Sequence, residues 1–196
     1  MSDPYHSARL PELPGLPSAD PAVVHRFGPS LAFVHELTRA GLPLAYDDCD
    51  VFYTEMAWQA GYDTFMTRAG LGGREFRRYV DALAWAVERS PVPFYLVTGK
   101  AILRRLPKPA VVAEGTLRKG GCVIAVYKTD APLPATETRA LLAGLAMRHA
   151  RVGDPCCGYG TAGRIFAQHG KAFVLSDVNP RCIGYVAAHA ARWKQA

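Results

Sequence analysis

The chain has 196 residues, of which 49% are hydrophobic and 20% charged, with a formal net charge of +6. This is the composition of a globular domain with a real core rather than a disordered chain. No apolar run is long enough to span a bilayer, and the N-terminus lacks the apolar segment of a signal peptide. The positive balance suits either a polyanionic partner or a solvated basic surface. Five cysteines at spacings that match no zinc module point to free, mostly buried thiols in a reducing, cytoplasmic compartment, with no metal site.

Residues 1–21 are proline-rich and read as a flexible arm, leaving 22–196 as one domain. "AVVHRF" (22–27) predicts a short strand. "PSLAFVHELTRAG" (29–41) predicts a helix, with Pro29 at its start, Gly41 past its end and Leu31, Val34 and Leu37 as its buried stripe. "CDVFYTEM" (49–56) is an apolar strand that turns polar at its end. "GREFRRYVDALAWAVERS" (73–90) is strongly amphipathic, with Phe76, Val80, Leu83, Ala84 and Val87 in helical period. "VPFYLVTG" (92–99) is a buried strand, followed by a short helix that Pro107 and Pro109 stop. Residues 110–128 predict a β-hairpin turning at Lys119–Gly120–Gly121. A helix over 136–150, a strand–turn–helix from 151, a strand over 172–179 and a helix from Pro180 complete the chain. Strands alternating with helices, plus one hairpin, predict an α/β three-layer sandwich with a mostly parallel, mixed sheet of Rossmann-like type.

The chemistry concentrates in "RVGDPCCGYGTAGRIF" (151–166). Gly158, Gly160 and Gly163 satisfy G-x-G-x-x-G, in which glycine permits a tight turn and a close approach of a cofactor to the backbone. Asp177 ends the next strand, where a carboxylate can accept hydrogen bonds from both ribose hydroxyls of an adenosine. An ordinary strand–helix turn shows the same three glycines. Asp154 and Pro155 precede them, and a carboxylate at that point suits a cofactor with a cationic amino group better than a dinucleotide.

"GDPCCGYGTAG" resembles the D-P-F-x-G-S-G-T motif of S-adenosylmethionine-dependent amino-methyltransferases that act on DNA bases, and "SDVNP" resembles their acidic second-strand motif. "DDCDVFYTEMAWQAGYDTF" (47–65) resembles their catalytic "SVDLIYTDPPY" pattern. "LPATETRALLAGLAMRHARVGDPCCGYGT" resembles "HPTQKPEALLERLI…VLDPFAGSGT". The catalytic stretch precedes the cofactor turn, which matches the permuted, beta-type order of that family. The resemblance implies a catalytic half (22–130) and a cofactor-binding half (131–196). It implies S-adenosyl-L-methionine held by Asp154, Pro155, Cys156, Gly158, Gly160, Thr161, Asp177 and Asn179, and methyl transfer to a nucleobase amine, adenine N6 in DNA.

The family's D-P-P-Y is here Glu55-Met56-Ala57-Trp58: acid and aromatic remain, and both prolines are gone. The resemblance casts Glu55 as the acceptor that orients the amine and Trp58 as the ring that stacks on a flipped base. Glu55 also reads as a helix-start or solvent carboxylate, and Trp58 equally as a core aromatic. Lys100, Arg104, Arg105 and Lys108 follow the "PFYLVTG" strand and are candidates for phosphate contact. The chain has no spare module to read a DNA sequence. Low specificity, a homodimer or partner subunit, or a substrate other than duplex DNA would each account for that. An altered-pocket enzyme acting on RNA or a nucleotide and a non-catalytic partner subunit are the rival readings.

Overall fold

The computed structural model describes residues 24–56, 62–63, 66–67, 70–71, 75–114 and 122–195. The arm over 1–21, Trp58 and the hairpin turn at Lys119–Gly121 lie outside them. The strands are β1 (Val24–Phe27), β2 (Ser30–Val34), β3 (Val51–Glu55), β4 (Phe94–Gly99), β5 (Val111–Glu114), β6 (Cys122–Tyr127), β7 (Arg151–Asp154) and β8 (Ala172–Asp177). The helices are α1 (Phe76–Arg89), α2 (Lys100–Leu103), α3 (Thr138–Arg148), α4 (Thr161–Gln168) and α5 (Pro180–His189). Short 3-10 turns cover Leu44–Tyr46 and Ala190–Gln195.

All eight strands form one sheet in the order β1-β2-β8-β7-β3-β4-β6-β5. The pairs β2/β8, β8/β7, β7/β3 and β3/β4 are parallel. The pairs β1/β2, β4/β6 and β6/β5 are antiparallel. The sheet is thus mixed and mostly parallel, and the β5/β6 hairpin stands where the sequence predicts it.

Alternation along the strands feeds two cores. On one face Tyr53, Val97, Ile124, Val152, Phe173 and Leu175 pack with Leu141, Leu142 and Leu145 of α3, Phe166 of α4, Ile183 and Val186 of α5, and Trp193. On the other, Phe33, Phe52, Phe94, Leu96 and Val174 pack under Phe76, Val80, Leu83 and Val87 of α1. Helices on both faces make the three layers.

The predicted helix over 29–41 is instead strand β2, reached through a turn at Gly28 with φ 63°. Leu31, Val34 and Leu37 fit a helical period, but Ser30, Leu31, Ala32 and Phe33 are buried one after another. A strand covered on both faces needs such a run, and β2 has β1 on one side and β8 on the other. The Ser30 hydroxyl accepts the Phe173 N–H at 3.1 Å, which fastens the strand to β8.

Two crossovers set the position of the site. From β7 the chain passes through α4 to β8, on one side; from β3 it passes through α1 to β4, on the other. Right-handed crossovers running in opposite directions put their helices on opposite faces, and a crevice opens between β7 and β3 at their C-terminal ends. Among the described residues no helix is long and apolar enough to cross a membrane.

Candidate functional site

A cavity of about 510 Å³ occupies that crevice. Its walls come from three places. The sheet ends give Glu55, Pro155, Cys156, Gly158, Asp177 and Val178; the segment after β2 gives His35 to Arg39; α1 and the residue before it give Glu75, Arg78, Tyr79, Asp81 and Ala82. Tyr62 and Met66 also reach it.

The glycine turn follows from local sterics. Gly158 (φ 51°) and Gly160 (φ 79°) hold left-handed backbone, which L side chains adopt at a cost. They differ in surroundings. A Cβ at Gly158 would meet nothing within 4 Å, on the cavity wall. One at Gly160 would stand 2.7 Å from the Trp193 ring. At Gly163 the neighbour is Leu175 Cδ1 at 2.6 Å, so that glycine lets α4 lie close on β8.

Asp177 ends β8 and is buried. Its Oδ2 accepts the Gly158 N–H at 2.8 Å and its Oδ1 the Asn179 N–H at 2.8 Å, so one carboxyl holds the glycine turn and the entry to α5. Burial pushes its pKa up to about 6 against those two N–H donors. Each oxygen retains a second acceptor site. Asn179 is buried and its own Oδ1 caps α5 by accepting the Arg181 N–H at 3.0 Å.

Asp154 ends β7 and lies behind the cavity wall rather than on it. Its Oδ1 accepts the Thr54 hydroxyl at 2.9 Å and the Cys156 N–H at 3.2 Å. Burial pushes its carboxyl up to about 8, despite those bonds. Tyr46 closes the same network: its hydroxyl donates to the Asp154 carbonyl at 3.2 Å and lies 2.7 Å from Ser176 Oγ. Burial holds the Cys156 and Cys157 thiols protonated by raising both pKa values. All five cysteines are free.

Of the predicted residues, the fold brings Glu55, Pro155, Cys156, Gly158 and Asp177 to one cavity. Glu55 is exposed at the end of β3, opposite the glycine turn across the crevice. Gly160 and exposed Thr161 start α4 outside the lining. Lys100, Arg104, Arg105 and Lys108 are exposed after β4 and do not line the cavity; Lys100 pairs with Glu114. Among the described residues no group of three or more His, Cys, Asp or Glu could hold a metal ion.

Three site residues escape sequence reading. Thr54 and Tyr46 reach Asp154 across 100 and 108 positions, and no local pattern marks such a pairing. His35 follows β2; its N–H donates to the Asp177 carbonyl at 3.1 Å, and its buried Nε2 has no hydrogen-bond partner. A lone histidine after an apolar run carries no signal by itself.

No protein-family model matches the chain, and no curated protein matches it. Similar solved structures exist. One is TTHA0409 of Thermus thermophilus, provisionally named a DNA modification methylase. It is 13% identical, with TM-score 0.46, over 74% of this chain and 86% of that one. Its complex with S-adenosyl-L-methionine gives 12% identity and TM-score 0.44 over 73% and 85%. M1.HpyAVI gives 12% identity and TM-score 0.44 over 82% of this chain and 99% of that one. At such identities and TM-scores the chemistry of the site rests on this chain's own residues.

Proposed function

We propose that the chain is a permuted S-adenosylmethionine-dependent methyltransferase acting on the exocyclic amine of a nucleobase, adenine N6 in DNA. The observation that carries this reading is the crevice between β7 and β3. Open-faced Gly158 and the Asp177 carboxyl lie on one wall and Glu55 on the opposite lip of the same 510 Å³ cavity. The permuted order draws support from the sheet. Counted from Arg151, strands β7, β8, β2, β3 and β4 stand in the spatial order 3-2-1-4-5 of doubly wound nucleotide-binding sheets.

The residues present fit the cofactor. Gly158 leaves room for backbone contact, Asp177 keeps acceptor sites for ribose hydroxyls, and the unpartnered His35 Nε2 on the adjoining wall can bond a heterocycle. Pro155 and Cys156 complete the wall, and Asp154 holds that turn from behind through the Cys156 N–H rather than reaching the cavity itself. When bound, S-adenosylmethionine would supply an activated methyl group on a sulfonium centre, with a neutral thioether as its leaving group. Glu55 orients the nucleobase amine by accepting an N–H bond and takes the proton the nitrogen sheds. Trp58 stacks on the base. Holding the two partners in line supplies most of the rate. Lys100, Arg104, Arg105 and Lys108 contact phosphate.

Titration with S-adenosylhomocysteine and with NAD tests the cofactor, and transfer of a labelled methyl to DNA, RNA and nucleosides tests the acceptor. The expected result is binding of the first compound alone and label in DNA, lost in Glu55→Ala with cofactor affinity kept. Preference for NAD sinks the reading. A second reading has one observation behind it. Met56 is buried, its N–H donates to the Val97 carbonyl at 3.0 Å and its sulfur takes the Thr98 hydroxyl at 3.4 Å. A proline could not make that ladder bond. The residue after the acid therefore stays bonded to β4 through its backbone just past the end of β3, which favours an altered acceptor pocket or a partner subunit; label in RNA or nucleosides, or in none, would follow.

A further inference from the structure

The outward side of α5 carries a feature that packing does not require. Cys182, Ile183 and Val186 bury the inner side of the helix. Arg181, Tyr185 and His189 recur at four-residue spacing on the other side, about 12 Å from end to end. Tyr185 and His189 stack with ring centroids 4.1 Å apart at 20°. Tyr159, from the glycine turn, meets Tyr185 edge to face at 5.2 Å and 78°. Tyr159 is 63% exposed and Tyr185 41% exposed, so the row of rings faces solvent. Exposed Gly184 and Ala188 keep its flanks low.

Along this stretch of the sequence the charged side chains are nearly all basic. After Asp154 the only acidic residue is Asp177, which is buried in the site, while Arg164, Lys171, Arg181 and Arg192 are basic. Among the described residues this stretch presents cations and aromatic rings to solvent and no exposed acidic side chain. By contrast, Lys100 on the ridge after β4 already has a carboxylate partner.

We propose that Tyr159, Tyr185 and His189, flanked by Arg181 and Arg192, form a docking platform for single-stranded nucleic acid. Cations track the phosphates and each ring offers a face or edge to an unstacked base. Duplex DNA keeps its base faces stacked and gains only the electrostatic part. Tyr159 adjoins Gly158 on the cavity wall, so a strand lying along α5 reaches the rim of the crevice. The platform is independent of methyl transfer and of any cofactor.

The test is fluorescence anisotropy of a labelled oligothymidylate of about 16 nucleotides, and of a duplex of equal length, with the full chain and no S-adenosylmethionine. Tyr159→Ala and Tyr185→Ala should each weaken single-strand binding about tenfold. They should change duplex binding less, and Tyr185→Phe should bind as wild type. Both tyrosines are exposed, so unchanged melting curves separate lost contact from lost fold. No binding of oligothymidylate by the wild type, or equal binding by the alanine variants, overturns the platform. So does a wild-type dimer in sedimentation that Tyr185→Ala dissociates while oligonucleotide affinity stays the same, which would make the face a contact between copies. None of these outcomes bears on cofactor binding.

Discussion

Asp177 and Asp154 are both buried carboxyls at strand ends, yet they answer to different tests. Asp177 holds two backbone N–H groups and faces the cavity. Asp177→Ala should weaken S-adenosylhomocysteine binding by about 1.5–3 kcal/mol, the range for hydrogen bonds to charged groups. Calorimetric titration measures it; an unchanged Kd would remove Asp177 from the ribose site. Asp154 is a matter of pH. Its folded pKa of about 8 lies above the ordinary carboxyl value of 3.8, so the fold favours the protonated form. The stability it contributes is fully present below about pH 4 and is lost as pH rises toward 8. Asp177, raised to about 6, acts in the same direction but only up to about that pH. Between pH 6 and 8 the decline therefore belongs mainly to Asp154. Asp154→Asn keeps an acceptor for Thr54 and Cys156 and cannot ionise. Its melting temperature should stay level over that window while the wild type's falls. Parallel curves would count against this.

The glycine turn separates two kinds of demand that one motif combines. Gly158→Ala adds only left-handed strain, roughly 1–2 kcal/mol, because no atom lies within 4 Å of the new methyl. The chain should fold, and the loss should appear in cofactor binding. Gly160→Ala adds the same strain and drives a methyl to 2.7 Å from Trp193. Thermal melts should place it well below Gly158→Ala; equal melting would show that Trp193 yields. The turn itself was legible from three glycines between an apolar strand and an amphipathic helix. So were β3, α1, β4 and the β5/β6 hairpin, where period and turn residues agree. β2 was not legible, because Leu31, Val34 and Leu37 satisfy a helix as well as Ser30–Phe33 satisfies a strand buried on both faces. The neighbours β1 and β8 decide between them, and β8 lies far along the chain. The same distance hid Tyr46 and Thr54, whose roles exist only once β3 and β7 lie side by side.

At the scale of the whole molecule, the chain carries a net charge of +6, and the ridge after β4 and the α5 face each hold several of its exposed cations. Nucleic-acid affinity should fall steeply with salt, and the slope of log K against log salt should shrink by roughly 0.7–0.9 for each phosphate contact removed. A Lys100/Arg104/Arg105/Lys108 quadruple alanine variant should shrink it measurably, with Lys100 adding little because of Glu114. An unchanged slope in filter-binding titrations would leave the ridge as solvated surface. The wedge position of β7 and β8 also governs how the sheet is assembled in time. Strands β3, β4, β6 and β5 with α1 come from one continuous stretch and can pair early. β2 must wait for β8, its fastening bond joining residues 143 apart. Until the last third of the chain arrives, β2 and β3 both keep open edges, the condition in which nascent chains mispair. Trp85 on α1 and Trp193 against Phe173 report the two stages separately. In stopped-flow refolding of single-tryptophan variants, the Trp193 signal should trail that of Trp85, and simultaneous signals would mean that the wedge closes with the rest in one step.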